Sequence, residues 1–382
     1  FEILVIMISS KFFIDSLCSM QMDFFTGVPD SLLKNVCAYI TDHFVTERNV
    51  IAANEGAAVG LAAGYYLATK KIPVVYMQNS GLGNAVNPLM SLTDKEVYNI
   101  PLLLLVGWRG EPGVKDEPQH IKQGKVTLPL LEAMGIKYAI MSQNETEFLS
   151  QLNYANFYMN ETHEPFAFVI PKGTFEEYKL QQDGEVILPL KREAAIQLIA
   201  SSLSKEDIIV STTGMISREL FEYRTSAFME HEKDFLTVGS MGHASQIALG
   251  IALEKKKCKV FCFDGDGSTL MHMGSLAIIG SLHPDNYVHV IFNNGAHDSV
   301  GGQPTVAFNI DLCKIAQACG YEAALSVSDS DSLCEALKRI TYMHGPILLE
   351  VKVRKGARKD LGRPTTTPLQ NKDTFMLFLN NQ

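Results

Sequence analysis

The sequence lacks the features of several protein classes at once. Its seven cysteines, Cys18, Cys37, Cys258, Cys262, Cys313, Cys319 and Cys334, are odd in number, scattered and without a CxxC pair. That argues against a zinc module or a disulfide framework and reads as reduced, buried thiols of a cytoplasmic protein. No apolar run reaches membrane-spanning length. The apolar opening Phe1–Ile8 is too short for a signal h-region and has no basic n-region, so no membrane partner is expected. Met7 opens an amphipathic segment and is the expected start, with Phe1–Ile6 ahead of it. Positive charge is also in deficit: 33 Lys and Arg stand against 42 Asp and Glu, a net charge of −9. A nucleic-acid partner selects a basic surface and is therefore not expected. A small anionic ligand remains compatible, because a local basic pocket can sit in an acidic protein. No strand-linked GxGxxG occurs, which disfavours a dinucleotide-dependent dehydrogenase.

What is present is an α/β pattern. The 382 residues are enough for two or three domains, and 46% hydrophobic with 20% charged residues is an ordinary globular composition. Continuous apolar, β-branched runs predict strands at Ile72–Met77, Pro101–Gly107 and Pro165–Ile170, then at Asp207–Ser211, Asp234–Val238, Lys259–Phe263, Tyr287–Phe292 and Pro346–Val353. Such runs suit parallel strands buried on both faces. Helical patterns lie between them, at Glu55–Thr69, Ala244–Glu254 and Ser275–Leu282. Pro171–Leu190, with its Pro, Gly, Gln and Asp residues, reads as a linker. The expected plan is two doubly wound parallel-sheet domains, residues 7–173 and 191–382, joined by residues 174–190 with no middle domain. The basic, Thr-rich tail Lys352–Pro368 is expected to wrap the surface.

The strongest chemical signal lies between Lys259 and Asn294. One strand runs into Asp264-Gly265-Asp266-Gly267-Ser268; after a helix, the next runs into Asn293-Asn294-Gly295. Positions 268–292 separate Gly267 from Asn293, 25 residues in all. Both clusters stand at carboxyl ends of strands, where open α/β sheets place ligands. Asp266 and the Asn pair offer hard oxygens that suit Mg²⁺ shared with phosphates. Gly265 and Gly267 allow a close backbone approach, and Ser268 can cap a helix whose N-terminus faces the anion. Each cluster alone is also common turn chemistry; together, one βαβ unit apart, they point to a Mg²⁺–diphosphate site.

GDGS followed after a helix by NNG resembles the diphosphate motif of thiamine-diphosphate enzymes. The resemblance implies thiamine diphosphate and Mg²⁺ as cofactors. It implies Asp266, Asn294 and the Ala296 carbonyl as metal ligands, and Gly265, Gly267 and Ser268 at the diphosphate. The stretch NEGAAVGLAAGYYLAT resembles the family's pyrimidine domain and implies Glu55 as the acid that bonds the pyrimidine ring; by itself Glu55 is also a plain first-turn acid favoured by the helix dipole. Gly239-Ser240-Met241-Gly242-His243 implies a Gly239 carbonyl on the pyrimidine and Met241 as the prop of a bent cofactor. Thr213, in Thr212-Thr213-Gly214, is a further expected diphosphate contact. In this family the Glu and the metal motif of one site come from different subunits, so a homo-oligomer built from dimers is implied.

The compact two-domain plan narrows the resemblance. Thr26-Gly27-Val28-Pro29-Asp30-Ser31, Gly107-Trp108-Arg109-Gly110, Glu117-Pro118-Gln119-His120, Ser299–Thr305 and Asp360–Thr365 are similar to phosphonopyruvate and sulfopyruvate decarboxylases. This implies decarboxylation of a small anionic 2-oxo acid. 3-Phosphonopyruvate going to phosphonoacetaldehyde, for 2-aminoethylphosphonate synthesis, is the first expectation. Sulfopyruvate decarboxylation and synthase-type carbonyl transfer are the alternatives. Asp30, Ser31, Arg109, His120 and His297 are the candidate substrate residues. Arg109, Lys115, His120, Lys122 and Lys125 form a basic group after one strand, which reads equally as a solvated loop.

Overall fold

The computed structural model describes residues 7–181 and 187–381. Phe1–Ile6, the segment 182–186 of the expected linker and Gln382 lie outside the described residues. The chain forms two compact units, the first ending in the 182–186 segment and also taking in Val300–Gln303, the second holding the rest.

The first unit is built on six strands, β1 (Phe25–Gly27), β2 (Asn49–Ile51), β3 (Val74–Gln78), β4 (Leu103–Gly107), β5 (Lys137–Ile140) and β6 (Phe166–Ile170). They pair in parallel in the order β2-β1-β3-β4-β6-β5. Alternate side chains of the central strands serve opposite faces, as the two-residue repeat of a strand requires. Val74, Tyr76, Leu103, Leu105, Phe166 and Phe168 pack with Phe13, Ile40 and Phe148. Val75, Met77, Leu104, Val106, Ala167 and Val169 pack with Ala58, Ala62, Leu82 and Leu131. Burial on both faces is why these strands read as unbroken apolar runs.

The second unit repeats the plan. Its strands are β7 (Ile208–Ser211), β8 (Asp234–Leu236), β9 (Val260–Gly265), β10 (Tyr287–Asn293), β11 (Ala323–Val327) and β12 (Ile347–Lys352). All pair in parallel, in the order β11-β12-β10-β9-β7-β8. Read from the opposite edge, this is the same permutation as in the first unit. In each sheet the chain winds outward in both directions from one place, between β1 and β3 in the first and between β7 and β9 in the second, and it turns back once more at the far edge, where β6 and β12 insert inside β5 and β11. Such switch points leave a crevice at the strands' carboxyl ends.

The doubly wound, all-parallel expectation agrees with this architecture, and the helices Glu55–Thr69 and Ala244–Glu254 fall on the expected residues. β1, β2, β5 and β11 were not expected. The stretch read as a linker begins later than its composition suggests: Ile8 and Phe175 form a parallel bridge, and Phe175 packs on Phe13 in the first core. Tyr178 donates to Asp42 Oδ2 at 3.0 Å. The basic tail is tied down by Arg358, which pairs with Glu193, Glu222 and Asp360. It then ends in the helix Pro368–Asn380, capped reciprocally by Thr367 and Gln370.

Candidate active site

The second unit's switch point gathers four loop tips. β9 and β10 are neighbours, in register from Tyr287 opposite Val260 to Phe292 opposite Gly265, so Asp266 and Asn294 leave adjacent strand ends. Asp266 opens the helix Asp266–Met271 and is only 3% exposed. Burial pushes its carboxyl up to about 6, against the Thr305 hydroxyl, which donates to its Oδ2 at 2.5 Å. Among the described residues Asp266 makes no ion pair, and its carboxylate accepts from the Thr305 hydroxyl. A divalent cation would offset its charge, and Asp266 with the Asn294 amide supplies hard oxygen donors for it.

Asn294 is held at both ends of its amide. Its Nδ2 donates to Asp298 Oδ2 at 2.7 Å, and its Oδ1 accepts the Ala296 amide at 3.0 Å. Asn293 turns the other way: its Nδ2 donates to the buried Glu350, and its Oδ1 accepts from Gly295. The two adjacent asparagines thus have different duties: the Asn293 side chain is committed to Glu350 and Gly295, and the Asn294 side chain to Asp298 and Ala296.

Gly267 has no room for a side chain. A Cβ there would lie 2.9 Å from the His297 ring and 3.5 Å from the Met241 methyl. Met241 and His297 thus flank the helix start where backbone amides can meet a diphosphate. Burial pushes the His297 imidazole down to about 4, so it is neutral near pH 7. Ser268 is not the helix cap expected from its sequence position. Gly265 occupies that place, and the Ser268 hydroxyl accepts the Gly242 amide at 3.0 Å and meets Thr212 Oγ1 at 3.1 Å. It ties three strand ends together. Thr213 Oγ1 accepts the Gly239 amide at 3.1 Å, which sets the turn carrying Met241. Gly239, Ser240 and Gly242 all have positive φ.

In the first unit Glu55 begins the helix Glu55–Thr69, whose cap is the Asn54 side chain on the Ala57 amide. Glu55 is 5% exposed, and burial raises its carboxyl above the ordinary range. The Asn84 amide donates to Oε2 at 2.8 Å. Gly81 makes the niche: a Cβ there would stand 2.3 Å from Oε1. Neither Gly81 nor Asn84 was singled out from the sequence, although Asn79-Ser80-Gly81-Leu82-Gly83-Asn84 follows β3 as the same kind of small, polar strand-end cluster.

Asp30 and Asn79 stand at this unit's switch point. Asp30 is fully buried, and its Oδ2 accepts the Leu32 and Leu33 amides. Arg109 uses Nε and Nη2 on Asp116, at 2.8 and 2.5 Å, and Nη1 on Ser31 at 2.8 Å. Asn79 holds the Arg109 backbone from both sides. Arg109, Ser31 and Asp30 therefore form one cluster. His120 is buried in the first turn of the helix Pro118–Ala133. Lys115 is exposed on the preceding loop, and Lys122 and Lys125 are exposed on that helix rather than on a loop.

Comparison with known proteins is consistent with these two halves. Residues 7–129 match the model described as thiamine pyrophosphate enzyme, N-terminal TPP binding domain, and residues 212–351 match its C-terminal TPP binding domain. The chain is 34% identical to a phosphonopyruvate decarboxylase of Streptomyces viridochromogenes, over 92% of this chain and 90% of that one. It is 33% identical to the phosphonopyruvate decarboxylase of Streptomyces hygroscopicus, over 97% and 94%. It is 31% identical to a sulfopyruvate decarboxylase of Methanosarcina acetivorans, over 88% of each.

Proposed function

The chain belongs to the thiamine pyrophosphate enzyme family, and from that membership we propose that it decarboxylates 3-phosphonopyruvate with thiamine diphosphate and Mg²⁺. The substrate reading rests on one observation: near-full-length likeness to two proteins named phosphonopyruvate decarboxylase. The sulfopyruvate decarboxylase at 31% identity keeps the sulfonate analogue as a second reading.

Thiamine diphosphate, when bound, supplies the electron sink for the pair released as carbon dioxide leaves. The chain's own residues bind, orient and move protons. Asp266 and Asn294, with the Ala296 carbonyl, would hold Mg²⁺, and a buried carboxylate without an ion pair among the described residues supports that reading. The bare backbone at Gly265 and Gly267, with Thr213 and Ser268 behind it, admits the diphosphate, while Met241 and the Gly239 carbonyl meet the organic part. Glu55 holds the proton exchanged with the pyrimidine ring. Its Oε2 is occupied by Asn84, so Oε1 is the oxygen that carries the proton, and burial keeps its proton affinity high.

Overall the reaction expels carbon dioxide and takes up one proton on the former keto carbon. Asp30, whose carboxyl burial lifts to about 6, can deliver that proton beside Ser31, and His120 can relay it. Arg109 is the cation of this cluster, but Asp116 already occupies its fork. Contact with a phosphonate would use Nη1, now on Ser31, or displace Asp116. We also infer a homo-oligomer. The helix that starts at Glu55 leaves Ala57, Gly60, Leu61, Gly64 and Leu67 exposed on one apolar face, which suits a second copy of the chain.

The test is turnover of the two acids side by side with Mg²⁺ and thiamine diphosphate, read as carbon dioxide and aldehyde. The expected result is a higher kcat/KM for phosphonopyruvate. Preference for sulfopyruvate would move the assignment to the second reading, and turnover of neither would remove both.

A further inference from the structure

Behind Asn294 lies a chain of buried charges that the reaction itself does not use. Asp298 Oδ2 accepts three hydrogen bonds: from Asn294 Nδ2 at 2.7 Å, from Arg192 Nη1 at 2.9 Å and from the Gly356 amide at 3.0 Å. Arg192 is 4% exposed and grips Glu219 with its other edge, Nε to Oε2 at 2.8 Å and Nη2 to Oε1 at 3.0 Å. These groups come from four separate places: the loop after β10, the start of the helix Arg192–Ser202, the helix Met215–Ser226 and the tail. A surface ion pair would be worth little, but a buried Arg between two carboxylates is held with low freedom.

An asparagine is a poor metal ligand unless its amide is prevented from turning over, because Oδ1 and Nδ2 are nearly the same size. A carboxylate can only accept, so Asp298 admits one orientation, with Nδ2 toward itself and Oδ1 away. The Ala296 amide on Oδ1 agrees with that orientation from the other end.

We propose that Asp298, held in place by the Arg192–Glu219 pair, is the positioning residue that fixes the Asn294 amide with its oxygen toward the metal. This rests on the reading of Asp266 and Asn294 as the Mg²⁺ site. The role is separate from ligation: Asp298 acts through Asn294. Second layers of this kind typically change metal affinity about 10- to 100-fold when removed.

The experiment is calorimetric titration of Mg²⁺, in the presence of thiamine diphosphate, into the wild type, D298A, N294D and the exchanged pair N294D/D298N. Melting of each without metal is recorded alongside. D298A removes the acceptor behind Asn294, so the amide is free to turn over, while Arg192 keeps its pair with Glu219. The exchanged pair puts the carboxylate on the metal side and the amide behind it, with the net charge unchanged and one donor–acceptor pair restored. The expected result is a metal-free melting temperature for D298A close to wild type, a Mg²⁺ Kd raised about tenfold or more, and recovery of most of that loss in the exchanged pair. A D298A Kd within twofold of wild type would overturn the proposal. So would an equal loss in D298A and the exchanged pair, or collapse of the metal-free fold in D298A, since either makes Asp298 structural. If wild type itself showed no Mg²⁺-linked cofactor binding, the underlying site reading would fail instead, and the two failures are thereby distinguished.

Discussion

Asp30 shows what burial does to a single side chain. One carboxylate oxygen takes two backbone amides, and Oδ1 has no hydrogen-bond partner among the described residues. Desolvation lifts the carboxyl to about 6, against the Leu32 and Leu33 amides and the Arg109 charge, which pull it down. An unfolded Asp titrates near ~3.9. Between about pH 4 and 6 the folded state therefore holds the extra proton, and stability falls as pH rises through that window. Above it the loss is complete. Asp30→Asn has no such proton to lose. In denaturant melts at pH 4 and pH 7.5, the variant's stability relative to wild type should improve by up to about 3 kcal/mol at the higher pH. An unchanged difference would contradict the burial argument. At this scale Glu55, Asp266 and Asn294 were singled out as candidates because each stands in a short cluster of chemically unusual residues. Asp298, Asn84 and Gly81 were not, because what marks them is contact with another side chain; Asn84 is 29 positions from the Glu55 it bonds. Only folding brings such pairs together.

Elements were legible in proportion to how much apolar surface they bury. The fully buried strands β4 and β6 announce themselves as runs of Leu, Val, Phe and Ile. β1 and β2 have three residues each and run straight into Val28-Pro29 and Ala52-Ala53-Asn54, whereas the equally short β8 is prolonged in the sequence by Thr237-Val238. β5 and β11 lie at sheet edges and are half-exposed, so their composition is mixed. The helix Pro118–Ala133 shows how tightly one element can rest on a loop. A Cβ on Gly124 would lie 1.7 Å from the Gly110 carbonyl oxygen, and the Trp108 indole donates to the Gly124 carbonyl at 2.9 Å. Gly124→Ala must therefore push the helix away from the loop that carries Arg109. The expected cost is about 1–3 kcal/mol, with a changed emission from Trp108, the chain's single tryptophan. Thermal melting with fluorescence detection measures both. An unshifted spectrum and melting temperature would mean that this packing is looser than the geometry requires.

Across the whole molecule, one strand permutation serves two different tasks. Each unit has a switch point beside β1 or β7, and each has a buried acid at a strand end or helix start. The first unit offers an acid with an amide on one oxygen, Glu55 with Asn84, suited to proton exchange. The second offers an acid beside an amide oxygen on neighbouring strands, Asp266 with Asn294, suited to a metal. Family membership was readable from the sequence because those two acids sit in recognisable strings. The division of labour between them is the central claim, and it separates binding from chemistry. The most direct measurement is thiamine diphosphate binding and turnover in Glu55→Gln and Asp266→Ala, each titrated with and without Mg²⁺. Glu55→Gln should bind the cofactor in a Mg²⁺-dependent way yet lose decarboxylation, while Asp266→Ala should lose the Mg²⁺ dependence together with the affinity. Cofactor binding by Asp266→Ala at wild-type strength, or undiminished turnover by Glu55→Gln, would contradict the account.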